Sequence, residues 1–236
     1  MSKVRKLSLF MKFFIPLVSI VTIAAIVYSS FSIIGLNNVK DDVMNSKVDE
    51  IRSLTRNISD AAVTKALSNS ILLASSSAVA DSLNMNDKSF AEEYVNNTYS
   101  HIMSFGVFEG AKLLITDAGQ NVFAAAGYNS SAAVSSILHN VARSNVAHGG
   151  FDVCSEGVCI IGATPVKDKA GKIAGYFQVS SSAGFISGEM KKSIGASSVF
   201  LVKSKEAGKD TLSGLTIANS NDTSLTSELK SGSFSV

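Results

Sequence analysis

The sequence predicts an α+β protein in which a transmembrane helix is followed by a long helix that packs on an antiparallel sheet. Three observations carry this prediction. Residues 13–36 form an uncharged apolar run, residues 36–105 contain neither Gly nor Pro, and short β-type runs separated by Asp/Gly turns follow Gly106. A long stretch without the two strongest breakers favours helix. Strands that follow a helical region are typical of the α+β class.

The apolar run Phe13–Leu36 predicts a membrane-spanning helix. It has 24 residues and no charge, whereas a bilayer core of roughly 30 Å needs about 20 apolar residues. Residues 1–12 carry four basic side chains and no acidic one, so the positive-inside rule places the N-terminus in the cytoplasm. A cleaved signal peptide is the alternative, although its apolar core is usually shorter. In either case residues 37–236 are exported, and the anchored form is an inner-membrane protein.

Charge and motifs restrict what the exported part does. Apart from the four basic residues of 1–12, the chain has 17 Lys and Arg and 19 Asp and Glu, a net charge of about −2. A protein that binds nucleic acid usually has a basic surface, and this charge does not indicate one. His101, His139 and His148 form no metal-ligand or catalytic spacing, and no phosphate-binding or nucleophile motif is present. We therefore expect no enzymatic activity, no metal and no cofactor.

The region without breakers predicts one helix from about Asn38 to Ser76, continuous with the membrane helix. Within it, apolar or small residues alternate at spacings of four and three, an a/d seam typical of a helix that pairs with another helix: Met44, Val48, Ile51, Thr55, Ile58 and Ala62. This seam predicts that the helix pairs with another helix. The alternative is an amphipathic helix that packs only on its own domain. A break at Asn84–Asp87 and a second helix over Ser89–Ser104 complete this region.

The part after Gly106 predicts five strands with one helix inserted between the second and third. An Asp/Gly turn joins the first two strands, and a similar turn joins the last two. The expected helix is Ser130–Ser144, ended by Gly149-Gly150, and the expected strands are Ala111–Thr116, Asn121–Ala126, Phe151–Cys154, Val158–Val166 and Lys172–Ser180.

The tail predicts a helix at Phe185–Ser193, strands at Ser198–Lys203 and Gly214–Asn219, and a short helix at Ser224–Lys230. These elements are too few for a second sheet domain, so we expect this sequence to be part of a longer chain. The expected divisions are a cytoplasmic N-terminus (1–12), a transmembrane helix (13–36), sensor helices (37–105), a sheet module (106–181) and a membrane-returning or second-module segment (182–236).

Cys154 and Cys159 lie close together in the exported part, where an oxidising compartment favours pairing. Placed on two strands joined by a short loop, they come within disulfide range. Free thiols are the alternative, and two thiols alone do not complete a zinc site.

The segment G-A-T-P-V-K-D-K-A-G-K-I-A-G-Y-F-Q-V (162–179) resembles the Cache domains, the PAS-like extracytoplasmic sensor modules of bacterial receptors. Six residues match the recurring run of that family: Pro165, Val166, Asp168, Gly171, Ile173 and Gly175. Residues 115–123 are similar to the first hairpin of the family, and residues 185–202 and 216–220 to the continuation seen in one subgroup.

This resemblance implies a long N-terminal helix packed on a five- or six-stranded antiparallel sheet, and a function in sensing a small molecule outside the cell. Methyl-accepting chemotaxis receptors and sensor histidine kinases are the usual owners, and they typically form homodimers along the long helix. We therefore expect the sensory part of a dimeric chemotaxis receptor. The alternatives are the sensory region of a histidine kinase or diguanylate cyclase, and a membrane-anchored periplasmic binding protein without an output domain.

The resemblance places the ligand between the sheet and the inserted helix, where an organic acid or amino acid needs a cation or hydrogen-bond donors. Alternation along the last strand puts Tyr176 and Gln178 on one face with Ala174, and Ile173 on the other face. Arg143 and His148 lie where the inserted helix returns to the sheet. These four residues, Arg143, His148, Tyr176 and Gln178, are the candidate ligand-binding residues. The alternative is that they are ordinary surface residues.

Overall fold

The computed structural model describes the backbone of residues 9–104, 110–128, 132–154, 157–195, 199–203, 211–212 and 215–220. The side chains of residues 9–20, 23–27, 30–38 and those from 196 onward lie outside the description. By its contacts the chain divides into two units, Met1–Leu54 and Thr55–Val236. All of the described strands belong to the second unit.

Three helices precede the sheet: α1 (Leu9–Ala74), α2 (Ser77–Met85) and α3 (Lys88–Ser104). The uninterrupted helix predicted from the apolar run to about Ser76 is confirmed as α1. The break after it was not predicted, and Ser76 there has an extended backbone. The predicted break at Asn84–Asp87 is confirmed, because Asn86 adopts the left-handed conformation (φ 55°) that commonly ends a helix.

The structure describes little of the segment that is predicted to span the membrane. Most side chains of Phe13–Leu36 lie outside the description, although the backbone there belongs to α1. Within the described residues, no helix is both long enough and apolar enough to cross a membrane. The span therefore stays a prediction from the sequence.

The sheet module has five antiparallel strands in the order β2-β1-β5-β4-β3. The strands are β1 (Lys112–Asp117), β2 (Val122–Ala126), β3 (His148–Cys154), β4 (Gly157–Lys167) and β5 (Ile173–Ser182), and helix α4 (Ser136–Ser144) lies between β2 and β3 in the chain. The predicted α+β arrangement, five strands with a helix inserted between the second and third, is confirmed.

The two faces of this sheet carry different helices. On one face α1, from Ile58 onward, packs with α2, α3 and a later helix, α5 (Gly184–Ile194), against residues such as Phe177 and Ile160. On the other face α4 packs against residues such as Leu114 and Tyr176. Two apolar layers therefore enclose the sheet. The layer under α4 covers the face on which the candidate residues of β5 were predicted to lie.

The pair Gly149-Gly150 lies within β3, so the prediction of a break there was wrong. Gly149 faces α1, where an added Cβ would lie 2.9 Å from Cγ1 of Val63. Gly150 faces α4, where an added Cβ would lie 3.0 Å from Cδ1 of Ile137. The two glycines let helices approach an edge strand closely from both sides, a use of glycine that sequence reading confuses with a turn.

Helix α4 is shorter than predicted. It begins at Ser136 rather than Ser130, because Ser135 has an extended backbone (φ −79°, ψ 161°) and caps the helix with its side chain. Residues 132–135 are not helical, and residues 129–131 lie outside the description.

The tail forms a separate small sheet. The sequence was predicted to hold too few elements there for a second sheet domain. Strands β6 (Val199–Lys203), β7 (Thr211–Leu212) and β8 (Leu215–Ser220) make a three-stranded antiparallel sheet in the order β6-β8-β7. The short strand β7 falls in what was read as a polar loop. The predicted helix Ser224–Lys230 lies outside the described residues.

Candidate functional site

The N-terminus of α4 is attached to two strands of the sheet. The hydroxyl of Ser135 accepts a hydrogen bond from the backbone N–H of Leu138 at 3.1 Å and donates one to Oε1 of Gln178 on β5 at 2.5 Å. The backbone N–H of Ser136 donates to Oδ2 of Asp152 on β3 at 2.6 Å. Two strands thus fix the start of this helix over the sheet.

A group of polar residues surrounds this attachment point, and all of them are buried except Tyr128, which is half-buried. We call this group the Gln178 cluster: Lys112, Tyr128, Ser135, Gln178 and Ser180. Nε2 of Gln178 donates to the hydroxyl of Tyr128 at 3.5 Å. Lys112 lies opposite Ser180 in the pairing of β1 with β5. Buried polar groups of this density are expensive unless they are hydrogen-bonded, so their concentration on one sheet face is the clearest chemical feature of the module.

The ammonium group of Lys112 and the ring of Tyr128 form the charged end of the cluster. Nζ of Lys112 lies 5.5 Å from the centre of the Tyr128 ring, within cation–π range, and the Lys112 residue is only 7% exposed. Burial raises the pKa of Tyr128 above its ordinary value, and hydrogen bonds from Ser180 and Gln178 offset part of that rise. The phenol therefore keeps its proton at neutral pH.

Thr116 extends the polar surface next to the cluster. It lies directly opposite Tyr176 in the β1–β5 pairing, so the two residues share the face covered by α4. Its hydroxyl is buried, and no hydrogen-bond partner for it exists among the described residues. A buried hydroxyl without a protein partner is a place where a ligand or a water molecule gains a hydrogen bond.

The four residues predicted from the sequence do not form one group. Tyr176 and Gln178 are 5% and 2% exposed and lie under α4. Arg143, in the last turn of α4, and His148, at the start of β3, are exposed. His148 is level with Gln178 through Ala163 of β4, two strands away, which is about 10 Å at the usual strand spacing. The structure therefore places two of the four in the interior and two at the rim.

The predicted face of Ile173 was wrong. Ile173 packs with the layer under α4, on the side of Tyr176. The reason is a bulge in the β4–β5 pairing: Val166 pairs with Gly175, but Lys167 pairs with Ile173, so β5 contains one extra residue there. A bulge reverses the alternation of side chains beyond it, and strict period-two reading does not detect it.

Sequence reasoning missed four members of the Gln178 cluster: Lys112, Tyr128, Ser135 and Ser180. Alternation along β1 would have grouped Lys112 with Leu114 and Thr116, but only the register of β1 on β5 brings it beside Ser180. Tyr128 and Ser135 come from the connection between β2 and α4, where no periodicity applies. A serine before an amphipathic run is a capping signal and could have located the start of α4.

The cluster offers donors of the kind that bind a small anionic group, because the ammonium group of Lys112, a phenol, an amide and hydroxyls lie on one face of the sheet. Among the described side chains, no group of three or more His, Cys, Asp or Glu is placed to hold a metal ion. His139 contacts Gln120 through its Nδ1 atom, at the surface.

The structure brings together the two cysteines that were predicted to pair. Cys154, the last residue of β3, and Cys159 of β4 are bonded, with Cα atoms 5.9 Å apart. The bond closes the β3–β4 hairpin and holds the edge strand that carries Asp152. It therefore supports the strand to which the start of α4 is attached.

Comparison with known proteins identifies a family. Residues 49–234 match the model of the dCache_3 family, described as the double sensory domain of two-component sensor kinase. The match covers most of the chain and includes both sheets. A search of curated proteins finds no match.

Among solved structures, two of the similar chains are of one protein. The periplasmic domain of Vibrio cholerae LuxQ is 12% identical, with a TM-score of 0.48, over 74% of this chain and 78% of that chain. A selenomethionine form of the same domain is 11% identical, with a TM-score of 0.48, over 73% and 77%. Similarity at this level supports no inference about ligand or partner.

Proposed function

The chain belongs to the family of double sensory domains of two-component sensor kinases, and from this membership we propose that its exported part binds a small molecule and relays that event to an output domain. Extracytoplasmic sensing is the function common to the family. The family match over residues 49–234 is the observation that carries the proposal.

The Gln178 cluster is the proposed binding site. A ligand with a carboxylate would meet the ammonium of Lys112 and the hydroxyl of Tyr128, and its body would lie beside Gln178. The predicted ligand classes, an organic acid or an amino acid, both carry that carboxylate. Arg143 and His148 stay candidates for the rim of the site.

Ligand binding would compete with bonds that now hold α4. Oε1 of Gln178 accepts from both the backbone N–H and the hydroxyl of Ser135, at 3.3 and 2.5 Å. A ligand that takes the amide of Gln178 releases Ser135 and changes the position of α4. Binding would then shift the population of two arrangements of this helix.

Helix α1 is the proposed carrier of the signal. From Ile58 to Ala74 it packs on the opposite face of the same sheet, and Oγ of Ser70 lies 2.7 Å from Oγ1 of Thr164 on β4 in a buried hydrogen bond. Because β4 and β5 are neighbours, a change at Gln178 reaches Thr164 through one pair of strands.

The type of output domain is a proposal that rests on the family match. The family description names two-component sensor kinases, which favours the histidine-kinase alternative over the chemotaxis receptor expected first. In either receptor the exported part acts by binding, without turnover. Support for the membrane anchor comes from the uncharged run Phe13–Leu36 and the basic residues before it.

A homodimer is proposed along the apolar seam of α1. Met44, Val48 and Ile51 are exposed to 57, 45 and 39% in the first unit, and apolar residues at this spacing favour pairing with an identical helix. Cross-linking of membranes that carry Val48→Cys, compared with Arg52→Cys on the charged side, tests this pairing. Equal cross-linking of both variants would exclude the seam.

A thermal-shift screen against organic acids and amino acids tests the site. We expect at least one carboxylate to raise the Tm of the protein and Lys112→Met to abolish that rise, because the variant keeps the length of the side chain and removes its charge. Lys172→Gln, an exposed charge change on the β4–β5 connection, is the matched control. A carboxylate that stabilises wild type and Lys112→Met equally would remove the Gln178 cluster from the proposal.

A further inference from the structure

The disulfide lies next to the carboxylate that holds the start of α4. Cys159 of β4 pairs directly with Asp152 of β3, and residues paired in this way project on the same side of a sheet, with Cβ atoms about 5 Å apart. Oδ2 of Asp152 accepts the backbone N–H of Ser136 at 2.6 Å. Cys154 and Cys159 both pack in the apolar layer under α4. The disulfide and the attachment of α4 therefore belong to one group of contacts.

Apart from the disulfide, the end of β3 is weakly held. Among the described strands, β3 pairs with β4 alone, and the side chains of Phe151 and Val153 are 40 and 61% exposed. The neighbouring end of β4 is held from its other side, because the carbonyl of Val158 accepts the backbone N–H of Ala183 at 2.9 Å. An edge strand that buries little apolar surface opens locally at low free energy. When the disulfide is broken, the end of β3 is therefore the part that moves.

Asp152 carries such a movement to α4. Its Oδ1 atom accepts the backbone N–H of Val153 in its own strand at 2.8 Å, while Oδ2 accepts the N–H of Ser136 in α4. Asp152 lies two residues before Cys154 on the same side of β3. Displacement of the strand end takes this carboxylate away from Ser136. The attachment of α4 to the sheet then depends more heavily on the hydrogen bond between Ser135 and Gln178.

A thiol can reach the disulfide from the Cys154 side. Cys154 is half-buried at the end of the edge strand, whereas Cys159 is 2% exposed. A thiolate of a reducing dithiol attacks Sγ of Cys154, and the sulfur of Cys159 leaves and takes up a proton. The second thiol of the reductant then displaces Sγ of Cys154 from the mixed disulfide. The reductant ends as a disulfide, and both cysteines end as thiols.

We propose that the Cys154–Cys159 bond is a redox switch that sets how firmly α4 is held over the Gln178 cluster. In the oxidised form, β3 keeps Asp152 at the start of α4. In the reduced form, that contact opens more often. A ligand at the Gln178 cluster competes with the bonds that hold α4, so the reduced protein binds it more tightly. This last step rests on the proposed function, whereas the step from the disulfide to α4 does not.

Amide hydrogen exchange of the full chain without ligand, before and after reduction with dithiothreitol, tests the switch itself. We expect reduction to speed the exchange of the Ser136 amide several-fold, while amides within α3 stay constant. Labelling with iodoacetamide reports whether both thiols have been released. The double variant Cys154→Ser/Cys159→Ala should exchange like the reduced protein and not respond to dithiothreitol. A Ser136 amide that does not respond to complete reduction, or a disulfide that the folded protein keeps in dithiothreitol, would overturn the proposal.

The variant Asp152→Ala separates the role of this carboxylate from a general loosening of the hairpin. Because it removes the acceptor, we expect the Ser136 amide to exchange faster in the oxidised variant than in oxidised wild type, and reduction to add little. An effect of reduction as large as in wild type would show that Asp152 does not connect the disulfide to α4. The Tm of each variant reports whether the fold is kept.

The thermal-shift screen, repeated on the reduced protein with the same organic acids and amino acids, tests the effect on binding. A carboxylate that raises the Tm of the oxidised protein should do so at several-fold lower concentration after reduction. Equal concentrations for both forms would show that the switch does not reach the Gln178 cluster. No shift with any compound in either form would contradict the proposed function, and the exchange of the Ser136 amide would still decide the switch.

Discussion

Gln178 shows which properties of a single residue can be predicted from sequence and which cannot. Alternation along β5 correctly placed it on the same face as Tyr176, but its partner could not be read from the sequence. Because its amide holds Ser135, the residue that caps α4, Gln178 joins a possible ligand contact to the position of a helix. A residue predicted as a ligand contact thus also holds the start of α4.

Asp117 gives a pH-dependent prediction at the scale of one residue. Burial raises the pKa of Asp117, but hydrogen bonds from the side chain and backbone of Asn121 lower it by more than burial raises it. The resulting pKa lies below the ordinary value of 3.8. A lowered folded-state pKa stabilises the protein above the unfolded-state pKa, and this stabilisation is lost as the pH falls through the folded-state pKa.

We therefore expect Asp117→Asn to have a lower Tm than wild type well above pH 3.8, since the variant keeps an acceptor and loses the charge. The difference should shrink below that pH. Thermal unfolding of both proteins across this range is the measurement. A difference that does not vary with pH would mean that the charge of Asp117 plays no part.

At the scale of elements, the close packing of α1 against the sheet depends on glycine. Gly149 and Gly162 face each other across β3 and β4, and both approach α1. A Cβ at Gly162 would collide with the backbone of Ala66 and Leu67. Backbone cannot yield as a side chain does, so the contact requires glycine.

Gly162→Ala should therefore lower the free energy of unfolding by about 1–3 kcal/mol, the usual cost of overpacking. Gly188→Ala is the matched control: an added Cβ there meets nothing within 4 Å, and alanine favours the helix by up to about 1 kcal/mol. Urea denaturation measures both. Equal stability of the two variants would show that α1 does not lie this close to β4.

At the scale of the whole molecule, the features that sequence predicts are those set by local chemistry. Period-two alternation and Asp/Gly turns located the five strands, and a region without Gly or Pro located α1. The short spacing of Cys154 and Cys159 predicted their disulfide. Each of these follows from residues that lie close together in the chain.

The features that sequence did not predict depend on contacts between distant segments. Gly149-Gly150 was read as a break because its helix neighbours were unknown. Lys112 was overlooked because strand register alone brings it beside Ser180. The same limit applies to Ile173, whose face depends on a bulge against β4.

The central claim is that a small molecule binds at the Gln178 cluster and shifts α4. Amide hydrogen exchange, with the carboxylate that most raises the Tm, tests it directly. We predict that this ligand changes the exchange of the amides of Ser136 and Leu138 at the start of α4 several-fold, while the amides within α3 stay constant. Exchange at the start of α4 that does not respond to a bound, stabilising ligand would contradict the account.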